Sequence, residues 1–166
     1  MPGRRKVKLS FRDLGVYGSA SLRGVEGQLY LPFGIRLDEV VVDARLRLHY
    51  TYSPSLLPEL SHLRVAFNEQ VVVALPLTKE QSGIAVYREL DLAPSYFTDF
   101  NQLRLDLIGH YTLQCEDPGH SSLWTAISDQ SEIELTLESL QLKPDLALLP
   151  APFFDRRDNR RLQLPV

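Results

Sequence analysis

The stretch Cys115–Ser131, CEDPGHSSLWTAISDQS, gathers the chain's only cysteine, its only tryptophan, two adjacent acids and one of four histidines. Glu116, Asp117 and His120 could offer oxygen and nitrogen ligands to a metal ion, or work as an acid and base pair. Two features argue against both uses. Neighbouring side chains such as Glu116 and Asp117 tend to point apart, and Pro118 with Gly119 marks a turn, where acids are common because they hydrogen-bond nearby backbone. The expectation is a structured turn, with no catalytic group and no metal. Trp124 admits two readings, a core residue or a flat platform for the apolar face of a sugar ring. Leu123 and Ile127 beside it suggest a helical turn that plugs a sandwich, which favours the core. Tyr50, Tyr52 and Tyr111 lie near the ends of long apolar-polar alternations and are alternative platforms, since such rings can bury their bodies and keep the hydroxyl wet. Cys115 cannot close an internal disulfide by itself and reads as a small core residue. His49, His62 and His110 fall at polar-face positions of expected strands and read as surface histidines.

Other chemistry is missing from the sequence. It contains no glycine-rich phosphate loop, no G-x-S-x-G, no H-E-x-x-H and no C-x-x-C, which weighs against an enzyme. A glucan hydrolase would need two carboxylates facing each other across a cleft, and only Glu116 or Asp117 with a distant acid could supply them. Eighteen basic against 21 acidic residues, with a pI near 5.8, create no field to draw nucleic acid or an anionic membrane. No apolar run is long enough for a signal peptide or a membrane span.

These residues must be positioned by strands. From Glu39 to Tyr52 the alternation is almost unbroken, placing Val40, Val42, Ala44, Leu46, Leu48, Tyr50 and Tyr52 on one face. The same period of two recurs in HLRVAFN, QVVVALPL, IAVYRELDL, NQLRLDLIGHYT and SEIELTLESLQL, with VKLSF and GQLYLPF as shorter candidates. Asn68 and Glu69 make a tight hairpin, while SPSLLPEL and APSYFTDF could each hold one helical turn. About eight or nine strands with polar outer faces predict an all-β, antiparallel β-sandwich. Leu46, Leu48, Val65, Val73, Val86, Leu105 and Ile133 should be buried.

The composition changes near Lys143, where the last 24 residues carry four prolines and four arginines. We expect a sandwich domain over residues 1–143 and, over 144–166, a linker into the first strand of an absent domain. Within that linker Arg156 and Arg160, like Arg157 and Arg161, stand at i and i+4. The spacing could pinch a dinucleotide phosphate, but a solvated linker is the preferred reading.

Several segments together resemble one family, the periplasmic B subunit of bacterial cellulose synthase. They include FRDLG, RGVEGQLYLPFGIRLDEVVVDARLRLHYTYSPSLLPELSHLRVAFNEQVV, LRLDLIGHY, CEDPGHSSLWTAISDQSEIEL and DLALLPAPFFDRRDNRRLQLPV. The resemblance implies a jelly-roll carbohydrate-binding domain followed by the lead into a flavodoxin-like α/β domain. It implies no bond-making activity. The implied role is to partner the membrane glycosyltransferase that makes β-1,4-glucan and to receive the emerging chain at the periplasmic face of the inner membrane, the signal peptide and anchor lying outside this chain. Some members of that family are named for cyclic di-GMP, but the messenger is expected at the catalytic subunit's cytoplasmic domain, so no cofactor is expected here. Trp124, Tyr50, Tyr52, Tyr111, Glu116, Asp117 and His120 are the candidate carbohydrate contacts. The alternative is a protein-interaction module that packs against other copies or neighbouring domains without touching sugar.

Overall fold

Each alternating segment has one dry face, and in the computed structural model, which describes residues 3–140, strands hide those faces between two antiparallel sheets. Among the described residues the strands are β1 (Arg4–Ser10), β2 (Ser19–Arg23), β3 (Glu26–Gly34), β4 (Glu39–Tyr52), β5 (His62–Phe67), β6 (Gln70–Pro76), β7 (Val86–Asp91), β8 (Phe100–Ile108), β9 (Trp124–Ser128) and β10 (Glu132–Ser139). The first sheet runs β1-β10-β4-β9-β2, with β7 also on β4, and the second runs β3-β8-β5-β6. The fold is all-β, a jelly-roll-like sandwich.

β4 organises the first sheet. One of its edges pairs with β7 from Arg45↔Asp91 to Tyr50↔Val86. Its other edge takes β10 and then β9, as Arg47↔Glu132 is followed by Tyr50↔Ile127. β1 and β2 line the far side of β10 and β9 in the same end-to-end way. The break between each pair is tied across, because Phe11 donates its N–H to the Ser131 carbonyl at 2.7 Å and Gly18 donates to Asp129 Oδ2 at 2.9 Å.

The core lies between the sheets. Leu46, Leu48, Val65, Val86, Leu105 and Ile133 are buried as the alternation predicts. Val73 is only half-buried, because β6 is an edge strand with a single neighbour, although it still packs against the core. The expected face of β4 also changes at its start. The β10 register slips so that Thr136 faces Asp43 while Leu137 faces Val41. This bulge turns Val41 inward and leaves Val40 41% exposed.

The short β2 has no counterpart among the expected strands, and β7 starts at Val86, which leaves Ile84 exposed. The hairpin at Asn68 and Glu69 forms with φ of 49° and 70°, the left-handed pair that a two-residue turn between right-twisted strands requires. The helical turns expected in APSYFTDF and SPSLLPEL are present, one as a 3-10 turn at Pro94–Tyr96 and one closed by Ser61 N–H to the Leu57 carbonyl at 2.9 Å. The expected linker over 144–166, with Arg156, Arg157, Arg160 and Arg161, lies outside the described residues.

Candidate functional site

The acid-rich stretch is a tightly self-bonded loop between β8 and β9. Asp117 caps the turn by accepting from Gly119 N–H at 3.0 Å, and His120 N–H closes it on the Asp117 carbonyl at 3.1 Å. Glu116 points the other way. Its Oε1 lies 2.9 Å from His110 Nδ1, and its Oε2 accepts from Tyr111 N–H at 2.8 Å. Partial burial alone would raise the Glu116 carboxyl, but His110 and the Tyr111 N–H outweigh it and hold the group below the usual carboxylate range. Both acids thus bind their own loop, and among the described residues no cluster of His, Cys, Asp and Glu could hold a metal ion.

The loop is also pinned to the sandwich. Gly24, at a φ of 87°, donates to the Leu123 carbonyl at 3.0 Å, and a side chain there would meet the Pro118 carbonyl at 3.1 Å. His110 exchanges backbone bonds with Ser61 Oγ and receives the Leu57 N–H. It follows the end of β8 rather than lying on a strand.

The candidate aromatics separate into three groups. Tyr50 and Tyr52 are 2% and 1% exposed and stack inside the sandwich with ring centroids 6.2 Å apart, so neither can be a platform. Inward alternation along β4 decides this, and the Tyr52 hydroxyl donates to the Thr78 carbonyl instead of to water. Tyr111 is half-buried against the core and covered by His120 at 4.2 Å between rings, while its hydroxyl accepts from Asp117 N–H at 3.0 Å. It holds the loop together.

Trp124 differs from both. The helical turn expected there is absent, since Trp124 opens β9, Thr125 and Ile127 occupy the inward positions of that strand, and Leu123 is buried just before it. Alternation therefore puts Trp124 on the outer face, half-buried opposite Arg23 and outside the core cluster. Cys115 is exposed, not a core residue, because the loop carries it away from both sheets.

The outer face of the second sheet holds a further group of polar residues outside the expected site. There Asp106 is 1% exposed and accepts from Arg64 Nε at 2.9 Å and Arg104 Nε at 3.1 Å. Tyr30, 48% exposed, donates its hydroxyl to Gln28 Oε1 at 2.7 Å. The polar positions of GQLYLPF, RVAF and LRLDL carried this signal, because cross-strand pairing sets Tyr30 opposite Arg104 and Gln28 opposite Asp106.

A family model described as "Cellulose synthase BcsB, first CBM domain" matches residues 4–139. The chain is 49% identical over 165 residues to a protein of Xanthomonas axonopodis pv. citri (strain 306) named "Cyclic di-GMP-binding protein", covering 99% of this chain and 21% of that one. A protein of the same name from Pseudomonas fluorescens (strain SBW25) is 47% identical over 157 residues, covering 95% and 21% respectively. A Komagataeibacter xylinus protein provisionally named cellulose synthase 2 is 38% identical over 159 residues, covering 95% of this chain and 10% of that one. The chain thus spans about a fifth of the length of the first two relatives.

Proposed function

Because this chain belongs to the family of the first carbohydrate-binding-module domain of cellulose synthase BcsB, we propose that it is a non-catalytic part of a cellulose synthase subunit that binds or guides the emerging β-1,4-glucan. In this reading the subunit partners the glycosyltransferase, works at the periplasmic face of the inner membrane, and neither makes nor cleaves bonds. The observation that carries it is Trp124, held on the outer face of β9 and excluded from the core that absorbs Tyr50 and Tyr52. A glucan ribbon has apolar ring faces and hydroxyl-bearing edges, so an outward indole beside polar groups suits it. Glu116, Asp117 and His120 act as the frame of the neighbouring loop in this account, and Tyr111 as its brace. The cyclic di-GMP in the relatives' names belongs, in this reading, to the catalytic subunit. Residues 144–166 serve as the linker to a following domain.

Weak affinity is the design that sliding requires. Calorimetric titration of the chain with cellohexaose should give a dissociation constant of about 1 mM or tighter, with weaker binding of maltohexaose. No heat with either sugar at tens of millimolar would overturn the reading.

A second reading, an interaction module without sugar binding, draws on the opposite end of the sandwich. There Leu37, Val40, Phe100 and Leu140 are all more than 40% exposed, near a recess of about 170 Å³ lined by Ile35, Val41, Pro94 and Phe97. Sedimentation decides it, since self-association without sugar binding would replace the first reading by the second.

A further inference from the structure

The outer face of the second sheet combines a flat ring with fixed but uncommitted hydrogen-bond donors. Tyr30 and Gln28 stand two residues apart on one face of β3, and the Tyr30 hydroxyl donates to Gln28 Oε1 at 2.7 Å. The tyrosine is 48% exposed. Directly across, Arg104 on β8 and Arg64 on β5 converge on the buried Asp106 carboxylate through their Nε atoms, at 3.1 and 2.9 Å. Arg64 commits nothing else to a protein partner, and the Arg104 Nη2 is likewise uncommitted among the described residues. Both guanidinium groups are therefore oriented before any ligand arrives, which reduces the entropy lost on binding.

The rest of the face is low. Ala66, opposite Arg104, is fully covered, and the small Ala74 lies opposite Arg64, between Tyr30 on one edge strand and Val71 on the other. Four strands at about 4.8 Å spacing make this face wide enough for several sugar rings. On this face Arg64 and Arg104 stand beside Asp106, Glu69 and Glu26, so no net positive field selects an anion, while the Arg64 Nη groups and Arg104 Nη2 remain as donors. Donors flanking an aromatic face suit a neutral ligand rich in hydroxyl oxygen acceptors.

We propose that this face, formed by Tyr30, Gln28, Arg64 and Arg104, is a second binding surface for a neutral β-glucan chain, separate from the Trp124 end of the first sheet. One ring stacks on Tyr30, while Arg64, Arg104 and the Gln28 amide donate to hydroxyl oxygens along the edge. The proposal rests on the glucan reading above and adds where the chain lies.

Cellohexaose titrations of the full chain and four variants test it. Tyr30→Ala should weaken binding about fivefold and Tyr30→Phe should largely preserve it, because the ring face rather than the hydroxyl meets the sugar. Arg64→Lys keeps a charge on Asp106 but removes the fork, and should also weaken binding measurably. Affinity unchanged in Tyr30→Ala and Arg64→Lys, but lost in Trp124→Ala, would overturn this surface and leave the glucan reading standing. No binding by the unaltered chain would overturn both. Tighter binding of a carboxylated oligosaccharide, abolished by high salt, would also overturn it, since the face would then be an anion site.

Discussion

The two outer faces of the sandwich carry similar residues in opposite states of commitment. On the first sheet Arg47 gives Nε to Glu89 at 2.8 Å, Nη1 to Glu132 at 3.0 Å and Nη2 to Glu134 at 3.1 Å. Three carboxylates from β7 and β10 surround one guanidinium. Tyr87 also leans on Glu89 through its hydroxyl and packs its ring against His49 at 4.8 Å. On the second sheet Arg64 and Arg104 share the buried Asp106, Glu69 meets only Arg104 Nη1, and the Tyr30 hydroxyl bonds Gln28. Both faces expose a tyrosine by about half. The difference teaches that an exposed aromatic does not make a ligand surface by itself. What matters is whether the polar groups beside it have already satisfied one another, and on the first sheet around Arg47 they have.

The largest expected effect follows from burial. Asp106→Ala leaves Arg64 and Arg104 without their shared acceptor and should cost about 2–3 kcal/mol in denaturant unfolding. A loss under about 0.5 kcal/mol would show that the carboxylate fixes nothing. Arg47→Met on the other face should cost clearly less than Asp106→Ala, because its carboxylate partners are partly solvated and the pairs are screened by water. Equal costs on the two faces would erase the contrast.

The same network should make folding acid-sensitive. Arg47 lowers the carboxyls of Glu89 and Glu134 below their ordinary value of 4.5. A group lowered in the folded state stabilises fully above its unfolded pKa, and that contribution disappears as pH falls through the lowered value. Stability should therefore decline below about pH 4.5, and the decline should flatten in Arg47→Met. A flat profile in the unaltered chain would contradict the network. The smallest expected effect is Tyr87→Ala, which should leave glucan affinity unchanged because its neighbours are already paired. A loss matching that of Tyr30→Ala would mean the two faces bind alike.

The sandwich was legible because period-two alternation and burial are the same fact seen twice, as Leu46, Leu48 and Leu105 show. Alternation also held the answer for Trp124, but the isolated pair Leu123 and Ile127 suits a helical turn as well as a strand, and only the pairing of β9 with β2 and β4 separates them. Tyr50 and Tyr52 misled for a related reason. Their place at the end of a long strand suggested wet hydroxyls, whereas the neighbouring loops close over that end. The face around Asp106 was hidden because its members lie on β3, β5 and β8, so the constellation exists only once register is set.

The central claim, that the chain meets glucan at Trp124 and on its second sheet while the paired groups around Arg47 stay idle, is tested most directly by mapping backbone amide shifts on the labelled chain during a cellohexaose titration. Saturable shifts are expected at Trp124, Gln28, Tyr30, Arg64 and Arg104, with none at Arg47, Tyr87 or Glu89. Shifts centred on Arg47 and Tyr87, with the second sheet silent, would contradict it.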